Sequence, residues 1–271
     1  MANVFDTVKE QLTLENVLSA AIRTPGVRVD RAVFLRKELL RYCREDVIET
    51  AIQYNPARAG IPKKVINKIS QTVIDVESLK VTAVSLAASI PSSLAAPAVV
   101  GAVTVDITWY FVHILRVVQE LAYLYGFPQF DFREDNVDSE TMNYIMLFLG
   151  VMFGVQGAQA ALRKLAHYIA ENMAKKLVQK AITRGVVYPV VKKIAQKIGI
   201  RMSKQLFADS AVSIIPLAGS VLSGGLTFAT FKPCCMRLRK TLMTFNLCDP
   251  GYYLTAGTED AEGGKNDSEN G

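Results

Sequence analysis

At 271 residues the chain can form one large domain or two small ones around a real core. Half of its residues are hydrophobic and its mean hydropathy is +0.21, which excludes a chain disordered throughout. Lys and Arg total 31 against 25 Asp and Glu, a net charge of +6, which favours anionic partners over cationic ones.

The first residues, Met1 to Asp6, have no basic stretch and no apolar core, so no secretory signal is expected and the cytoplasm is the expected compartment. Val8, Leu12, Leu14, Val17, Leu18 and Ile22 share one helical face, and Thr24-Pro25-Gly26 stops that helix. Asp30 is placed to cap a second helix. Its apolar face is Phe34, Leu35, Leu39, Leu40 and Cys43, and Arg31, Arg36, Lys37 and Glu38 form its wet side. A short helix over about Glu45 to Gln53 ends at Asn55-Pro56, because the residue before proline avoids the helical region. Gly60-Ile61-Pro62 then opens a helix with Pro62 in its first turn and Val65, Ile66, Ile69, Val73, Ile74 and Val76 on its apolar side.

Three uncharged runs follow. Val81 to Val105 is 25 residues long, the length of a membrane span, yet Pro91, Pro97 and Gly101 interrupt it. A break near Pro91 and a restart near Pro97 is the natural reading. Thr141 to Leu162 carries Gly150, Gly154 and Ala158, whose four-residue spacing puts small side chains on one face of a continuous helix for close packing. Ser210 to Phe231 holds Pro216, Gly219, Gly224 and Gly225. Either these runs are core helices buried on all sides, or they form Gly/Pro-broken hairpins that enter a bilayer.

Between the second and third runs the chain is strongly basic. Arg163, Lys164, Lys175, Lys176, Lys180, Arg184, Lys192, Lys193, Lys197, Arg201 and Lys204 interleave with apolar residues, and Glu171 is the one acid. Gly185 to Pro189 splits the region into two amphipathic helices. They suit an anionic membrane surface or membrane complex; nucleic acid is the weaker partner, since aromatics are few and no recognised binding motif is present. From Ala256 the sequence turns to Gly, Asp, Glu and Asn, the pattern of a disordered acidic tail over 256–271, which leaves a folded body of about +10 over 1–255.

One polar stripe interrupts the apolar pattern. Asp106, His113 and Glu120 are seven apart, nearly eclipsed on a helix, with Tyr110 and Arg116 beside them. Charged groups on an apolar helix must find partners or water. Three readings follow: a structural cluster in which Asp106 pairs with a base from another helix, acid–base or metal chemistry by Asp106, His113 and Glu120, or a recognition patch. Residues seven apart lie about 10 Å apart along the axis, so one ion would need a third element. No HExxH, GxSxG or GxxxxGK[ST] pattern occurs, Cys43, Cys234, Cys235 and Cys248 form no CxxC, and no metal or cofactor is expected.

Several separated blocks carry a resemblance. Phe34 to Leu40, Val81 to Ser85, Tyr110 to Arg116 leading into Leu121 to Gly126, Phe148 to Val155, Tyr188 to Lys193 and Gly224 to Pro233 resemble the EcsC protein family over about Ala20 to Leu242. Asp106 and Tyr125-Gly126 look like that family's typical Asp and Tyr-Gly. Its usual glycine-rich turn before the Asp is here Pro91 to Pro97, poorer in glycine. The resemblance implies a helical protein linked to an ABC-type transporter complex, with no catalytic residues to transfer. The sequence therefore predicts an all-α, compact single-domain bundle of about eight to ten helices. Its expected role is that of a non-enzymatic accessory protein, peripheral at the inner face of the cell membrane. The rivals are a peptidase-like hydrolase using Asp106 and His113, and a nucleic-acid binder using the basic region.

Overall fold

A computed structural model describes residues 14–88, 96–132, 139–172, 190, 192–194, 196 and 219–254. Eight α-helices of nine residues or more lie among them: α1 Leu14–Arg23, α2 Arg31–Leu39, α3 Glu45–Gln53, α4 Lys63–Ala88, α5 Ala96–Leu124, α6 Ser139–Met152, α7 Ala158–Asn172 and α8 Gly219–Leu242. A 3₁₀ turn, Asn246–Cys248, follows α8, and the described residues contain no strand. The protein is an all-α, compact single domain.

Local signals explain several helix ends. Asp30 caps α2, its carboxylate accepting from Val33 N–H at 2.8 Å. Pro62 precedes α4 and its carbonyl accepts from Val65 N–H at 2.9 Å. α5 opens at Ala96, with Pro97 in its first turn where no amide hydrogen is needed. α5 ends at Gly126 with φ +96°: Phe127 N–H reaches back to the Ala122 carbonyl at 2.9 Å and Gly126 N–H to Tyr123 at 3.3 Å, a left-handed glycine cap.

α5 is the central helix. Val112, Ile114, Leu115, Val117, Val118, Leu121 and Ala122 are buried around its whole circumference, because α1, α2, α4, α6 and α8 pack on it from different sides. α4 and α8 lie against each other and are joined by polar links. Lys232 pairs with Asp75 at 2.6 Å, and Arg239 donates to Ser70 Oγ at 2.8 Å and to the Asn67 carbonyl at 2.9 Å. Gln119 of α5 holds the α1–α2 loop, donating to the Val27 carbonyl at 2.8 Å and accepting from Val29 N–H at 3.0 Å.

Several expectations are corrected: Leu40 and Val76, placed on apolar faces, are 63% and 44% exposed. Arg31 does not face water: it is 8% exposed and donates to the carbonyls of Ala51, Ile52, Tyr54 and Phe127 at 2.6–3.2 Å. Those carbonyls end α3 and the α5 turn without helical partners, and only a long forked donor spans both. Burial lowers its guanidinium to about 10.

The stripe Gly150, Gly154, Ala158 does not lie on one helix. α6 stops at Met152, and Gly154 adopts φ +66°, with Val155 N–H bonded to the Gly150 carbonyl at 2.7 Å. Glycine at that position terminates the helix rather than packing it. Gly150 and Ala158 still approach closely, but across the α6–α7 turn. A Cβ on Gly150 would stand 2.8 Å from the Ala158 Cβ and collide with Ile194, whereas Gly154 faces the Arg237 guanidinium.

Candidate functional site

α4 and α5 run against each other through the core, and one ionic cluster joins them. Glu77 comes from α4, one turn before the uncharged run. His113 Nδ1 lies 2.6 Å from Glu77 Oε2, and Lys80 Nζ lies 2.7 Å from Glu77 Oε1. Arg116 stands one turn beyond His113. Its guanidinium lies 3.6 Å from Glu77 Oε1 and 3.2 Å from Glu120 Oε1, and it also donates to the Gly26 carbonyl. Glu77 is 2% exposed, His113 5% and Glu120 6%.

Burial alone would push the Glu77 carboxyl up. Hydrogen bonds from His113 and Lys80, with their charges, outweigh it and hold the group down to about 2. Glu120 has only the longer Arg116 contact. Burial first, and the Glu77 charge second, push it up to about 8. Two carboxyls in one cluster are thus driven apart, Glu77 ionised and Glu120 a proton holder near neutrality.

Glu77 fixes the His113 ring and leaves Nε2 pointing away. Nε2 is buried and has no hydrogen-bond partner among the described residues, and the same holds for Trp109 Nε1, whose ring meets the imidazole edge-on at 5.0 Å between centroids. A carboxylate orienting one imidazole nitrogen while the other stays unbonded is chemically an acid–base arrangement. Two cavities among the described residues lie elsewhere, one under the Phe127–Phe130 segment and one between α7 and the 3₁₀ turn. No group of three metal-ligating side chains occurs among the described residues.

His113 and Glu120 therefore do lie in one cluster, with Arg116 between them. The Asp106 side chain lies outside the described residues, and the described partner of His113 is Glu77 instead. Glu77 and Lys80 were overlooked in the sequence. Their signal was a Glu–Lys pair three apart at the entrance to an uncharged run, which looks like ordinary surface charge on a helix. None of the four cysteines is in a disulfide, and burial pushes the Cys43, Cys235 and Cys248 thiols up, Cys248 to about 11.

The second candidate surface is basic. α7 buries Leu162, Leu165, Ala166 and Ile169 and exposes Arg163, Lys164 and His167. Lys192 and Lys193 are exposed beside buried Ile194, which packs on Gly150. Neither Arg163, Lys164, Lys192 nor Lys193 has a carboxylate partner among the described residues; His167 pairs with Glu171 at 3.2 Å. Lys175, Lys176, Lys180, Arg184, Lys197, Arg201 and Lys204 lie outside the described residues. No described helix is long and apolar enough to cross a membrane.

Compared with known proteins, the chain matches no family model, no curated protein and no solved structure.

Proposed function

We propose that this protein is a non-enzymatic accessory protein that docks peripherally on the anionic inner face of the cell membrane, beside a transporter-type membrane complex. The observation that carries this reading is the run of exposed, uncompensated cations Arg163, Lys164, Lys192 and Lys193. Each basic residue held near an anionic bilayer contributes on the order of 1 kcal/mol, within a Debye length of the surface. A handful suffices for reversible, salt-sensitive attachment. The resemblance to the EcsC family supports the same role, and so does the basic sequence that continues to Lys204.

Vesicle flotation tests it. The purified protein should float with vesicles containing anionic lipid, not with phosphatidylcholine alone, and should be released by high salt. Failure to float with any anionic vesicle at low salt removes the reading.

A hydrolase reading keeps one favouring observation, the Glu77–His113 pair with its unbonded Nε2. Turnover of generic ester or peptide substrates that is lost in His113→Ala, in a variant that still folds, would support it. Equal turnover in wild type and variant would dismiss it.

A further inference from the structure

The outer face of α7 meets the 3₁₀ turn across a groove of about 330 Å³, lined by Arg163, Lys164, His167, Thr244, Phe245 and Asn246. That volume is at the low end of the range for small-molecule sites, about 300–1,000 Å³. Arg163 and His167 are one helical turn apart on one face and Lys164 follows Arg163 in the chain; His167 is paired with the Glu171 carboxylate at 3.2 Å. The opposite wall supplies a hydroxyl, an amide and an aromatic ring.

The arrangement positions Arg163 for an anion. Its guanidinium lies over the Phe245 ring, 6.0 Å from the centroid, and one Nη donates to Thr244 Oγ1 at 3.4 Å. Thr244 is itself anchored, donating to the Thr241 carbonyl at 2.7 Å. These contacts restrain the guanidinium yet use only one of its N–H groups, and no described carboxylate competes for the rest. Lys164 adds a second positive charge with no carboxylate partner. A planar fork, a flanking ammonium and an amide across the groove match a tetrahedral oxyanion with several acceptor oxygens.

Resting on the membrane reading above, we infer that this groove is a phosphate site that takes the phosphomonoester headgroup of an anionic lipid. A monoester carries up to two charges and three terminal oxygens, so it can engage Arg163 and Lys164 together. A diester headgroup offers one charge and two free oxygens and fits them less well.

The test is flotation with phosphatidylcholine vesicles brought to equal surface charge by phosphatidic acid or by phosphatidylglycerol. Wild-type protein should bind the monoester vesicles on the order of ten-fold more tightly. Arg163→Lys keeps the charge and loses the fork; it should bring the affinity for phosphatidic acid vesicles down to that for phosphatidylglycerol vesicles. Lys192→Ala with Lys193→Ala should weaken binding to both lipids alike. Both substitutions fall on exposed positions, and the circular dichroism of each variant should match wild type. Equal affinity of the wild type for the two lipids, or a preference unchanged by Arg163→Lys, overturns the groove and leaves the membrane reading standing. Binding to neither vesicle, with Arg163-dependent thermal stabilisation by inorganic phosphate, overturns the lipid assignment and the membrane reading together and makes the ligand a soluble phosphate.

Discussion

The Glu77 carboxylate of α4 and the His113 imidazole of α5 meet at 2.6 Å in the core, although they lie 36 positions apart with the uncharged run between them in the chain. The same carboxylate takes Lys80 and approaches Arg116 on its other oxygen. One buried anion thus faces three basic groups, of which His113 is buried with it while Lys80 and Arg116 reach toward solvent. A buried pair of this kind is weak in net stabilisation but costly to break from one side, since the remaining charges are stranded.

Glu77→Ala should therefore destabilise the protein by about 3–5 kcal/mol, seen as a lower midpoint of urea unfolding. Glu77→Gln, which keeps a hydrogen-bond acceptor for His113, should lose less. A Glu77→Ala variant as stable as wild type would show the cluster to be solvated.

Glu120 makes stability depend on pH. Its folded value of about 8 lies above the ordinary 4.5. The folded state therefore binds a proton that the unfolded state has already released between those values. Its contribution is full below about 4.5 and is lost as pH rises through 8. Glu77 acts oppositely: held down to about 2, it contributes above 4.5 and loses that contribution as pH falls toward 2. Urea midpoints should fall from pH 5 to pH 8. Glu120→Gln, a mimic of the protonated acid, should flatten that slope and be more stable than wild type at pH 8 by a few kcal/mol. An unchanged slope would place the titration elsewhere.

Arg31→Met should cost about 3 kcal/mol or more, because it strands four carbonyls that this one side chain satisfies. The loss should appear in amide exchange as faster opening of the last turn of α3 and of the segment after α5. Arg31→Lys should not rescue it, since an ammonium cannot span both helix ends.

Gly126→Ala should cost about 2–5 kcal/mol. The position has φ +96°, and an added Cβ would lie 2.9 Å from the Leu247 carbonyl oxygen, which is backbone and cannot move aside. Gly150→Ala would bring its Cβ to 2.8 Å from the Ala158 Cβ and from Ile194 Cγ1, both in the packed core, so it should cost a comparable amount despite its gain in helix propensity. Thermal unfolding of the two variants against wild type checks both losses.

The all-helical class, the α2 cap at Asp30, the bounds of α3 and the restart of α5 by Pro97 were legible from residue order alone. Each rests on interactions within about five residues: a side chain reaching its own backbone, a proline that cannot donate, a periodic apolar face. The length of the helix through Gly154 was not legible, because spacing reports a face only if the helix continues, and a left-handed glycine ends it. Arg31 looked solvated for a related reason. Its partners are carbonyls from two other segments, and nothing in an Asp-Arg-Ala sequence marks them. The polar stripe showed the same division. His113 and Glu120 stood out as charges on an apolar helix, but Glu77 resembled any surface glutamate until α4 packed on α5. Local chemistry decides which segments become helices and where they stop. Which charges must share a buried space is decided when helices distant in sequence pack together, because only then is water removed and a partner required.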